Sequence, residues 1–162
     1  MPLTLLQTDE SFLRLEWSVY ASTSRVWGQL TESSYLKQWL GELVHGAVAS
    51  GASFIVDHGD GYHCTSSVVD YEVERTLSYT WKFPDEPATK VSWSLSSFDG
   101  QTKLTLTHSG LSKLLASYRD GWLVHLTFLE ASALGTPLPA KMFWNLHSTF
   151  AHINAGAHHI SH

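Results

Sequence analysis

Leu77-Ser78-Tyr79-Thr80-Trp81-Lys82-Phe83 places a large apolar side chain at every odd position and Ser, Thr or Lys at every even one. Val91-Ser92-Trp93-Ser94-Leu95 and Lys103-Leu104-Thr105-Leu106-Thr107-His108 repeat the alternation, and Leu13, Leu15, Trp17 and Val19 show it near the start. Successive side chains of a strand point to opposite sides of its sheet, so a period of two marks one buried face and one wet face. The buried face here carries Tyr79, Trp81, Trp93 and a terminal His108. Such bulky, partly polar side chains either fill a core or wall a cavity.

Working outward from this stretch, residues 43–109 read as strand throughout, with turns at Gly46, Gly51, Gly59-Asp60-Gly61, Pro84-Asp85-Glu86-Pro87 and Asp99-Gly100. Asp99-Gly100 is a hairpin signal, because both central residues of a two-residue loop need positive φ. The spacing predicts about six consecutive antiparallel strands in a meander, in addition to the strand near 12–20. In the 65–73 strand the alternation groups Thr65, Ser67, Val69, Tyr71 and Val73 on one face.

Between the first strand and the meander, Ser22 or Thr23 is placed to cap a helix carrying Val26, Trp27 and Leu30. Thr31 or Ser33 is placed to cap a second helix with Tyr35, Leu36, Trp39 and Leu40, ended by Gly41 as a left-handed residue. Near the C-terminus, Trp122, His125, Leu126, Leu129 and Ala133 recur at helical spacing over 118–134. Asp120 sits toward its start, where a negative charge suits the helix dipole. Gly135-Thr136-Pro137 stops this helix, and Met142, Phe143, Leu146 and Phe150 suggest a short helix before a Gly/Ala/His-rich end that is expected to fray.

The composition narrows the function classes. The 162 residues make one domain of ordinary size. A net charge of −5 without a basic stripe argues against nucleic acid as a partner. The single Cys64 forms no internal disulfide. No signal peptide or membrane span is legible, so the expected location is the cytoplasm. Charged residues are only 15% and aromatics 12%, with seven Trp, a balance that suits a large core or a ligand cavity.

Five strings in order then carry a resemblance: Ser24-Arg25-Val26-Trp27 with Leu30-Thr31, Leu36-Lys37-Gln38-Trp39-Leu40, Glu74-Arg75-Thr76-Leu77-Ser78-Tyr79-Thr80-Trp81, Lys103-Leu104-Thr105-Leu106-Thr107-His108-Ser109-Gly110, and Gly121-Trp122. With the element order, they resemble the helix-grip superfamily of START domains and birch-pollen-allergen-like proteins. Within it the chain looks most like bacterial stand-alone homologues of the activator of the 90-kDa heat-shock-protein ATPase. The resemblance implies an α+β fold: a curved antiparallel sheet of about six to seven strands wrapped around a long C-terminal helix, with two short helices after the first strand. It spans about 12–134, within a helix-grip domain expected over 1–136, and offers nothing for the extension 137–162, which is expected to be no separate domain.

Three functions follow as expectations. In the first, a small hydrophobic or amphipathic ligand sits between sheet and helix. Tyr79, Trp81, Trp93 and Trp122 supply contact area, and Tyr71, His108 and His125 orient its polar atoms. The bland alternative is that these rings simply pack a core. The second function, implied by the resemblance, is a co-chaperone-like module contacting a chaperone ATPase, with Phe143, Trp144 and Phe150 available for a partner or a homodimer. The third is an enzyme using His108 and His125 as acid and base. His58 alternates inward with Phe54 and Val56, but its place beside a turn favours exposure. No phosphate loop, zinc-protease helix or nucleophile elbow is present, and Cys64 and His63 point to opposite faces. No metal and no cofactor is expected. Five of the ten histidines lie at 147, 152, 158, 159 and 162, and His158-His159 with His162 make at most an adventitious metal tail.

Overall fold

The computed structural model describes the backbone of residues 2–160 and the side chains to residue 156. It is an α+β fold with eight antiparallel strands in one sheet: β1 (Leu3–Thr8), β2 (Leu13–Val19), β3 (Glu42–Gly46), β4 (Ser53–Asp57), β5 (His63–Glu72), β6 (Thr76–Trp81), β7 (Thr89–Phe98) and β8 (Gln101–Ser109). Their order across the sheet is β1-β2-β8-β7-β6-β5-β4-β3. The six strands of the meander are those predicted, and β8 closes back onto β2. The eighth strand, β1, escapes a period-two reading because it is an edge strand with little burial. Only Leu3 and Leu5 of its six residues are even half-buried.

Two short helices, α1 (Thr23–Thr31) and α2 (Ser33–Trp39), bridge β2 and β3. Ser22 is the cap of α1, its hydroxyl accepting from the Arg25 amide at 3.2 Å. The cap position of α2 is Glu32, not Thr31 or Ser33, because Thr31 turns its hydroxyl back to the Trp27 carbonyl. Gly41 is not the left-handed residue the sequence suggests. It must be glycine for space: a Cβ there would stand 2.5 Å from the Asp57 carbonyl oxygen. Gly100 does need its conformational freedom, since Asp99 (φ 48°) and Gly100 (φ 76°) form the tight β7–β8 loop.

The 65–73 strand corrects the sequence reading. Val68 pairs with Tyr79, yet Asp70 pairs with Ser78, so Val69 is an extra, bulged residue. The inner face therefore passes from Cys64 and Ser66 to Tyr71 instead of running Thr65, Ser67, Val69, Tyr71. A simple alternation cannot foresee a bulge, which inverts every later face assignment.

The long helix α3 (Leu115–Ala133) crosses the inner face of the sheet, and α4 (Phe143–Ile160) packs on α3. The short terminal helix anticipated from the sequence is thus 18 residues long. Of the five tail histidines, His147 is half-buried and His152 exposed, while the side chains of 158, 159 and 162 lie outside the described residues. Because α4, α1 and α2 cover the back of α3, that helix buries Leu123, Val124 and Phe128 as well as its sheet-facing Trp122, Leu126 and Leu129. Asp120 lies beyond the first turn, so the dipole does not explain it. It is 5% exposed and held by Arg119 and by Asn154 of α4.

Candidate functional site

The sheet and α3 pack closely around Trp93. Trp93 is 1% exposed and sets its ring edge-on against Trp122 of α3 and Trp39 of α2, with centroids 5.6 and 5.8 Å apart. Its indole N–H donates to the Tyr79 hydroxyl at 2.9 Å. Deep burial removes water from the Tyr79 phenol and pushes its pKa well up. Tyr71 lies away from this cluster, edge-on to Trp27 of α1.

His108 is wholly buried and fully bonded. Its Nδ1 accepts from the Trp122 indole N–H at 2.9 Å, which leaves the ring proton on Nε2, 2.7 Å from the Thr89 hydroxyl. Burial alone drives its pKa down to about 3. A sealed, neutral imidazole of this kind orients Trp122 and stores no proton at ordinary pH.

Toward the other end the elements diverge around a cavity of about 760 Å³. Trp81 and Phe83 of the β6 end form its sheet wall; Tyr118, Trp122, His125 and Phe128 project from α3; Trp39 and Leu40 come from α2, and His58 follows β4. The mouth is flanked by Tyr62, Glu86, Asp57 and Lys37. The extension closes one side with Leu138, Phe143, Trp144 and His147. Of the seven sequence-predicted ligand residues, Trp81, Trp122 and His125 line the cavity. Tyr79, Trp93 and His108 stand behind them, and Tyr71 is elsewhere.

The walls are ring upon ring. Trp81 meets Trp122 at 5.2 Å and His58 at 5.4 Å, and His125 meets Trp122 at 5.4 Å and Phe143 at 4.8 Å. A short relay fixes the Trp81 indole: its N–H donates to the Tyr118 hydroxyl at 2.9 Å, and that hydroxyl donates to Glu86 Oε1 at 2.5 Å. Burial, and then the bond to Glu86, raises the Tyr118 pKa strongly, so the phenol stays protonated.

Two imidazoles face each other in this wall with centroids 6.0 Å apart. His125 places Nδ1 2.8 Å from the Trp39 carbonyl oxygen. Burial takes its pKa down to about 4, against the upward pull of that carbonyl and with help from His147. His58 turns inward after all, since it continues the face of Phe54 and Val56 even past the strand end. Its Nε2 is buried without a partner, and burial, then His125, lowers its pKa to about 3 against the pull of Asp57. Both rings are neutral near pH 7 and offer hydrogen-bonding nitrogens rather than charge.

Cys64 is buried on the inner face with its thiol pushed up to about 12, so it holds no thiolate. Among the described residues no group of three His, Cys, Asp or Glu is placed to hold a metal, and no helix is long and apolar enough to cross a membrane. Sequence reasoning missed Tyr118, Phe83 and Leu138. Phe83 was within reach, as it ends the alternating stretch that decides the fold; Tyr118 and Leu138 left no signal.

With this geometry in hand, residues 20–133 match the model of the Activator of Hsp90 ATPase homolog 1-like protein family. The chain belongs to that family. No curated protein matches it. Among solved structures, DynU16 of the dynemicin biosynthetic locus is 30% identical over 80% of this chain, with a TM-score of 0.72, and the chain spans 49% of that protein's length. CalU16 from Micromonospora echinospora is 21% identical, with a TM-score of 0.77 over 96% of this chain and 98% of its own. That span takes in most of the extension. The Aha1 dimer from Colwellia psychrerythraea is 21% identical, covering 75% of this chain and 95% of its own at a TM-score of 0.66.

Proposed function

We propose that this family member is a small-molecule binding protein that holds a hydrophobic or amphipathic ligand between the sheet, α3 and α4. The observation that carries this reading is the 760 Å³ cavity whose aromatic walls contain a buried, unpartnered His58 Nε2. Its size is that of pockets for drug-sized molecules, and apolar walls with a few fixed polar atoms are the usual make-up of such sites. A solid core would leave no such space between Trp81 and Phe143, and a buried nitrogen without a partner is costly unless a ligand or water supplies one. The likeness to DynU16, a protein of a biosynthetic locus, supports a small organic molecule as the occupant.

Burying even 200 Å² of apolar ligand surface contributes about 5 kcal/mol before association costs. Micromolar affinity is the expected scale for a ligand that also satisfies the polar atoms. Gly121 offers a direct test, because it lines the cavity on α3 and a Cβ there meets nothing within 4 Å. Gly121→Phe should fold, project its ring into the cavity and obstruct binding. Native mass spectrometry should reveal a co-purifying molecule in the wild type, lost on denaturation and absent from G121F. In parallel, pyrene fluorescence should respond saturably to the wild type alone. A wild type that carries no molecule and gives no saturable pyrene response would sink the reading.

A further inference from the structure

The cavity's polar chemistry is narrower than its size. The Trp39 carbonyl can only accept, so the His125 Nδ1 facing it carries the ring proton. In the neutral ring Nε2 is then an acceptor, and among the described residues nothing donates to it. His58, 6.0 Å away ring to ring, has an Nε2 with no partner at all. One wall therefore presents a fixed acceptor beside a second imidazole whose tautomer is free to supply a donor.

Resting on the binding reading above, we propose that the ligand is an uncharged aromatic molecule bearing a hydroxyl group, which donates to His125 Nε2 and accepts from the His58 imidazole. A hydroxyl is the one common group that gives a proton and takes a hydrogen bond through the same atom. A carboxylate or phosphate has no proton to give and would face a lone pair at His125. An ether or ketone fails there for the same reason. The rings of Trp81, Trp122 and Phe143 surround this pair, which suits a flat apolar body attached to the hydroxyl.

The test uses three probes of one shape: pyrene, 1-hydroxypyrene and 1-methoxypyrene, titrated by fluorescence into the full chain. The wild type should bind 1-hydroxypyrene about 3- to 10-fold more tightly than 1-methoxypyrene, the scale of one net hydrogen bond. In His125→Phe, which keeps a ring against Trp122 and Phe143, that gap should close whatever the change in pyrene affinity. Equal binding of the hydroxy and methoxy probes by the wild type, or a gap that persists in H125F, overturns the proposal and leaves the binding reading intact. Loss of pyrene binding by the wild type overturns both. Should H125F fail to fold, long-range 1H-15N spectra of the wild-type imidazoles decide instead. They should show His125 protonated on Nδ1, with its Nε2 resonance moved by 1-hydroxypyrene and not by 1-methoxypyrene. An unmoved resonance counts against the proposal.

Discussion

His108 lets a single imidazole be weighed against pH. It is 0% exposed, bonded through both nitrogens, and its folded pKa of about 3 lies well below the ordinary 6.5. A lowered histidine pKa means that the unfolded chain binds the proton and the folded one refuses it. Its contribution is therefore complete above pH 6.5 and is lost as pH falls from there toward 3. At pH 5 the unfolded chain holds nearly one proton on this ring and the folded protein almost none. Relative to pH 7 this costs about 2 kcal/mol for His108 alone. His58 and His125 share the direction, so the whole protein should weaken more than that. His108→Gln isolates the one ring. It should cost about 1–3 kcal/mol at pH 7 through the broken bonds to Trp122 and Thr89. It should also lose about 2 kcal/mol less than the wild type between pH 7 and pH 5. Urea unfolding at the two pH values, followed by tryptophan fluorescence, measures both quantities. If wild type and H108Q lose equal stability on acidification, His108 protonates without penalty and is not sealed as described.

The other expectations concern packing. Trp93→Ala should cost about 3–5 kcal/mol in urea unfolding, because it removes a ring seated against Trp39 and Trp122. Trp144→Ala, at a residue 72% exposed on the cavity rim, should stay within about 0.5 kcal/mol; a larger loss would show that α4 carries part of the core. Gly41→Ala should destabilise by about 1–3 kcal/mol, since the added methyl meets the Asp57 carbonyl and Val56, and an unchanged melting temperature would refute that crowding.

Much of the fold is written locally. The alternation at 77–83, 91–95 and 103–108 and the Asp99-Gly100 loop define β6, β7 and β8, because the same period that buries a face also sets their register. The Trp122-to-Ala133 stripe likewise marks α3 as the helix that covers them. Local pattern is silent where tertiary contact decides. Edge strand β1 buries too little to show a period, and the bulge at Val69 reverses a face with no change in residue type. Helix α4 runs beyond the weak helical pattern of its sequence, and it packs on α3.

The site divides in the same way. Sequence alone identified aromatic inner-face residues and brought Trp81, Trp122 and His125 into one reading, since inward direction follows from periodicity. It could not separate wall from backing. Tyr79, Trp93 and His108 point inward just as Trp81 does, yet Trp93 packs on Trp39 and Trp122, Tyr79 bonds to Trp93 and His108 to Trp122, while Trp81 stands where the elements part. Whether facing side chains touch depends on sheet curvature and on the angle at which α3 crosses it. Those are properties of the packed whole, set by residues far apart in the chain. For the same reason only the tertiary structure brought His58 beside His125 and placed the Trp39 carbonyl that takes up the His125 Nδ1.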